Sequence, residues 1–137
     1  MLPAIRSRYD TAELRVKEAF VVKYDAGKPV AGGPEPTGSA QGGAEPPRQA
    51  GLEFHRDGTL LNCVVLLSGP SDFEGGGTMF APPVGRTYRT GRGDCLCSCG
   101  QLLHGAAAVT RGVRYVMIAF IDEMMSAPEE EDDERDV

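Results

Sequence analysis

Two histidines occur in this 137-residue chain, and both belong to one pattern: His55-Arg56-Asp57, followed much later by His104. Two imidazoles and one carboxylate gathered on one face of an ion form the ligand set of non-haem Fe(II) centres, which leave the other positions open for substrate and oxygen. Residues i and i+2 of a strand point to the same face, so His55 and Asp57 can converge on one ion while Arg56 points away. The third ligand has to come from elsewhere, and His104 is the only imidazole left to provide it. A lone H-x-D is common by chance, and a histidine before Gly105 can equally be a capped turn residue. The weight rests on the joint pattern.

An arginine adds to that pattern. Arg114, ten residues after His104, opens the β-branched and aromatic run Arg-Tyr-Val-Met-Ile-Ala-Phe-Ile, which reads as a buried strand from Arg114 to Ile121. A guanidinium on such a strand is costly unless an anion meets it, and a carboxylate suits its planar fork. Arg111 competes for that role, but it precedes Gly112 and reads as an exposed turn residue. Alternation then sends Arg114, Val116, Ile118 and Phe120 inward, and Tyr115, Met117 and Ala119 outward.

With these residues in view, the chain resembles the 2-oxoglutarate- and Fe(II)-dependent dioxygenases, in the prolyl 4-hydroxylase and lysyl hydroxylase branch. The stretches that carry the resemblance are AFVVKYDAG (19–27), GLEFHRDGTLLNCVVLLS (51–68), FEGGGTMF (73–80), GRTYRTGRGD (85–94) and LLHGAAAVTRGVRYVMIAFID (102–122). The resemblance implies Fe(II) on His55, Asp57 and His104, and 2-oxoglutarate as cosubstrate with its distal carboxylate on Arg114. It implies that Tyr24 lines the cosubstrate pocket, against the alternative of a core tyrosine with its hydroxyl satisfied. Thr78 either faces the same pocket or is an ordinary strand threonine. Val64 departs from the pattern, since many relatives carry Asn there and Val donates no hydrogen bond. The implied chemistry is oxidative decarboxylation of 2-oxoglutarate coupled to hydroxylation of an unactivated C–H bond, with ascorbate as an accessory. Prolyl or lysyl side chains of a peptide or protein are the implied substrates, with a small molecule as the alternative. The competing reading is a catalytically inactive or truncated jelly-roll module that binds metal or peptide without turnover.

Composition bounds the rest. The nine residues from Glu129 to Val137 hold seven acidic side chains and one Arg, which accounts for the whole formal charge of −6. The remaining body is close to neutral, so no basic nucleic-acid stripe is present, and the acidic run reads as a disordered tail. No apolar run approaches the length of a membrane helix, and the N-terminus lacks the apolar segment of a secretory signal. Of the four cysteines, Cys95, Cys97 and Cys99 alternate along one stretch, which is poor geometry for pairing with one another. Together with Cys63 they read as reduced thiols, which favours an intracellular, cytoplasmic setting. Zinc motifs space cysteines more widely, so the period-two thiols read as small apolar side chains on one strand face.

The chain length allows one domain: residues 1–125 as the catalytic domain and 126–137 as the tail. Thr11 to Glu18 is a helix candidate capped by Asp10 or Thr11. Residues 25–50, rich in Gly, Pro, Ala, Ser and Gln, read as a long flexible insert, either a lid or low-complexity expansion. Strands are expected at 19–24, 52–57, 60–67, 78–80, 85–88, 94–98, 102–104 and 114–121, with Gly75-Gly76-Gly77 as a turn of unusual dihedrals rather than a phosphate loop. Many short strands with Gly/Pro punctuation suit an all-β double-stranded β-helix, a jelly roll, preceded by one short helix.

Overall fold

The computed structural model describes residues 13–27 and 48–123; most of the Gly/Pro-rich insert, the acidic tail, and the cap candidates Asp10 and Thr11 lie outside them. Among the described residues the chain is all β. Nine strands run in order: β1 Leu14–Asp25, β2 Leu52–His55, β3 Leu61–Leu66, β4 Phe73–Gly75, β5 Thr78–Phe80, β6 Thr87–Tyr88, β7 Cys95–Cys99, β8 His104–Ala106 and β9 Val109–Glu123. They form two antiparallel sheets. The larger has the order β1-β9-β3-β7, with β4 also on β9; the smaller has the order β2-β8-β5-β6.

The expected helix at 11–18 is replaced, in its described part, by the start of β1. Pairing along β9 decides this, and tertiary context routinely overrides weak local propensity. The register slips by one residue between Val16 and Glu18. Leu14, Val16, Ala19 and Val21 therefore share one face although their spacing is not a strict alternation, which hides the strand from a period-two reading.

Two apolar clusters lie on opposite faces of the larger sheet. Tyr24, Val64, Leu66, Ala106, Val109 and Val116 pack between the sheets. Leu14, Leu61, Cys63, Ala119 and Ile121 pack on the outer face. Ala119 points away from the inter-sheet space, as alternation requires, yet it is buried beneath its outer-face neighbours. Truncating a buried residue such as Ile121 to Ala costs about 2–5 kcal/mol.

The cysteines differ from the expectation. β3 pairs with β7 so that Cys63 faces Cys97, and the two form a disulfide with Cα atoms 4.4 Å apart. That separation matches the narrow antiparallel pair of about 4.5 Å. The partner of Cys97 lies across the sheet on β3 and not among the three cysteines of its own stretch, so spacing along that stretch does not reveal it. Cys95 and Cys99 are free and exposed. The thiol-based argument for an intracellular setting therefore lapses. No helix among the described residues is long and apolar enough to cross a membrane.

Candidate metal centre

Strand pairing brings the distant histidines together. In the β2–β8 register His55 lies directly opposite His104. β8 can approach β2 closely because Gly105 sits between them: a Cβ there would lie 2.6 Å from the Leu52 carbonyl oxygen. The two rings stand with centroids 4.6 Å apart. β2 ends at His55 rather than at Asp57. Asp57 is held just beyond the strand by its own N–H, which donates to the Gly100 carbonyl at 3.0 Å. Arg56 turns outward and donates to the Gln101 carbonyl.

The three expected ligands converge. One ligand atom from each of His55, Asp57 and His104 lies within 4.8 Å of the other two. His55 Nε2 is 3.2 Å from one Asp57 carboxylate oxygen, and His104 Nε2 is 3.2 Å from the other. Each ring has Nδ1 2.8 Å from the backbone carbonyl two residues earlier, Glu53 for His55 and Leu102 for His104. A carbonyl oxygen accepts only from an N–H, so Nδ1 carries the proton and Nε2 is left to face the carboxylate. This is the usual way a protein sets the tautomer of a metal-binding imidazole.

A fourth residue, absent from the sequence reading, organises the trio. Asn62 on β3 is 2% exposed. Its amide Nδ2 donates to Asp57 and lies 2.9 Å from His104 Nε2, while Ser98 Oγ donates to its Oδ1 at 2.9 Å. The carboxylate fixes the amide's orientation, since the flipped form would set oxygen against oxygen. His104 Nε2 is then an acceptor, a lone pair aimed into the centre. That lone pair and the Asp57 carboxylate face each other with His55 Nε2 alongside, an arrangement that a cation among the three would satisfy. The donor set therefore fits a divalent ion that takes nitrogen and oxygen ligands, with the open positions of a facial triad.

The trio opens into a cavity of about 210 Å³ between the sheets. The larger sheet lines it with Tyr24, Val64, Arg114 and Ile118, and the smaller with Thr78 and Ala106. Arg114 is 4% exposed, and among the described residues no carboxylate lies in ion-pair contact with it. Its nearest charge-sensitive neighbour is Tyr24, whose ring centroid is 5.6 Å from the guanidinium carbon. Burial away from water pushes the Arg114 guanidinium below its ordinary pKa, with Tyr24 opposing. Burial likewise pushes the Tyr24 hydroxyl up, with Arg114 opposing. Gly76 adopts φ +68, and a Cβ on it would sit 3.0 Å from Arg114 Cδ, so the glycine turn makes room for the buried arginine. Arg111 lies elsewhere: it is half exposed on the β4 side of β9, 4.0 Å from the Glu74 carboxylate.

Comparison with known proteins agrees in kind. The chain is 35% identical over 82 residues to a PKHD-type hydroxylase of Idiomarina loihiensis. That relative is named as a hydroxylase. The match covers 54% of this chain and 38% of the relative, so the chain spans well under half of the protein it matches. No family model matches. The likeness does not single out the prolyl 4-hydroxylase or lysyl hydroxylase branch.

Proposed function

We propose that this chain is a Fe(II)- and 2-oxoglutarate-dependent dioxygenase that hydroxylates an unactivated C–H bond, with a prolyl or lysyl side chain of a peptide or protein as substrate. The observation that carries the reading is a buried arginine without a carboxylate partner among the described residues, in the same cavity as a His-Asp-His trio. His55, Asp57 and His104 would hold the iron, which when bound supplies the oxygen chemistry that drives hydroxylation. Arg114 would receive the far carboxylate of the dicarboxylate, with Tyr24 and Thr78 shaping the same end of the cavity. Asn62 and the two backbone carbonyls keep the ligands in register. Val64 and Ile118 exclude water along the wall between trio and arginine.

Strand order supports a jelly roll as the fold behind this reading, because most successive strands alternate between the two facing sheets. Cavity size bears on the substrate. At about 210 Å³ it falls below the range of about 300–1,000 Å³ usual for drug-sized ligands. That room suits a short dicarboxylate and the end of one side chain, with the rest of a larger substrate outside. Phe20 and Leu52 line the cavity yet are more than a third exposed, so it reaches the surface at an apolar rim.

The test is succinate release from 2-oxoglutarate with Fe(II) and ascorbate. Wild-type protein is expected to release succinate and Asp57→Ala to release none. Equal release by that variant would remove Asp57 from the ligand set. Tight iron binding with no release by wild type would leave a binding module instead.

A further inference from the structure

A second cluster of ligand atoms stands on the outer face of the larger sheet. The sulfurs of Cys63, Cys95 and Cys97 all lie within 4.8 Å of one another. Cys63 comes from β3, and Cys95 and Cys97 from β7, with Cys63 opposite Cys97 and Val65 opposite Cys95. Alternation puts all three on the face away from the cavity, since Asn62 and Val64 line the cavity from the intervening positions. Cys63 is fully buried beside Leu61, Ala119 and Ile121, whereas Cys95 is exposed. One wall of the cluster is thus dry and apolar and the other is open to an incoming ion.

We propose that the reduced chain binds one Cu(I) ion through the thiolates of Cys63, Cys95 and Cys97. Soft sulfur ligands select soft d10 ions, and no histidine nitrogen or carboxylate oxygen joins these three within the same reach among the described residues. Structural zinc sites are closed by four ligands. Cys99 lies further along β7 on the same face, outside the reach that unites the other three, so the donor count is three. An ion held at about 2.3 Å from each sulfur spans the cluster with little movement of the strands, taking the zinc–thiolate distance as guide. Spacing along the Cys-rich stretch does not show this set, because the third ligand, Cys63, lies on the neighbouring strand.

The disulfide and the copper site use the same atoms and exclude each other. A dithiol reductant gives two electrons and two protons to the Cys63–Cys97 bond, leaving two thiols and the cyclised reductant. Cu(I) then displaces the thiol protons without changing its oxidation state.

The experiment uses the whole chain, reduced anaerobically and freed of reductant, with Cu(I) titrated against a chromophoric Cu(I) chelator. The reduced chain is expected to withdraw one equivalent, and the oxidised chain none. Cys95→Ser, at an exposed position, is expected to fold and to bind at least tenfold more weakly; Cys97→Ser provides a second variant from the same strand. A His55→Ala/His104→Ala double variant is expected to keep its copper. The proposal is overturned if Cys95→Ser and Cys97→Ser bind like wild type, if the double histidine variant loses the ion, or if the reduced chain withdraws none. Each of these results leaves the iron reading where it stands, since the two clusters share no residue.

Discussion

Replacing Arg114 by Met separates cosubstrate recognition from scaffolding. The guanidinium is 4% exposed, meets no carboxylate among the described residues, and has Tyr24 as its charge-sensitive neighbour. A buried charge in that state strains the ligand-free fold, and exchanging buried ionic groups for apolar side chains of similar volume is often neutral or stabilising by about 1–4 kcal/mol. Arg114→Met is therefore expected to melt at or above wild type when no ligand is present, with each kcal/mol worth roughly 3–5 °C in a chain of this size. The ligand response runs the other way. Wild-type protein at a 2-oxoglutarate concentration of about 100 Kd gains about 2.7 kcal/mol. Losing one partner of a buried charge pair costs roughly 2–5 kcal/mol, or at least about 30-fold in affinity. At the same concentration the variant then keeps at most about 0.9 kcal/mol of that gain. Thermal melts with Mn(II) in place of iron, with and without 2-oxoglutarate, read both effects together. A variant that melts several degrees lower alone, yet shifts as far as wild type with ligand, would refute the reasoning: Arg114 would then be a structural cation already satisfied by the fold.

Asn62→Ala is expected to weaken Mn(II) or Fe(II) binding about 10- to 100-fold, the usual range for residues that orient metal ligands, with Ser98→Ala weaker in the same direction; calorimetric titration of each apo-protein checks this. Asp122 is held below the ordinary carboxylate value of 3.8 first by the Leu60 N–H at 2.8 Å and further by Lys17 at 3.4 Å. A depressed carboxylate stabilises the fold above its unfolded pKa and loses that contribution as pH falls through the folded value, so in urea melts Asp122→Asn should lose less stability than wild type as pH falls below about 4. Replacing residues 28–47 by a short Gly-Ser link is expected to leave metal affinity unchanged, because the Asp25 N–H already donates to the Gln49 carbonyl at 2.9 Å and closure entropy varies slowly with loop length, about 0.6 kcal/mol per doubling. Loss of substrate hydroxylation with iron binding intact would make that stretch a lid.

Much of the sheet architecture was legible because buried strands carry their own signal. Leu61–Leu66 and the C-terminal part of β9 are runs of β-branched and apolar residues, and they form the middle of the larger sheet. β4 was not legible, since three residues with a terminal glycine carry no periodicity. The start of β1 was misread for a different reason. The bulge at Val16–Glu18 breaks the alternation, so the stretch shows no strict period of two. What settles the matter is β9, whose partner residues are about a hundred positions away.

The site divides along a similar line. The three candidate ligands could be picked out by residue chemistry, because imidazole is rare here and metal geometry limits which types can serve. His55 opposite His104 is a fact of register, and no local pattern encodes it. Asn62 was invisible for a sharper reason. In sequence it is one polar residue inside an apolar strand, between Leu61 and Cys63, where propensity would prefer a β-branched side chain. A buried polar side chain in such a run costs free energy unless its partners are present. Its presence is itself a signal, because a fully buried amide requires donors and acceptors on neighbouring strands. Here they are Asp57, His104 and Ser98. The same test applied to Arg114 finds a buried cation and no anion among the described residues. Asn62 is satisfied within the chain and therefore supports the site. Arg114 is not satisfied among the described residues, and a ligand that paired with it would have to carry the negative charge those residues do not supply.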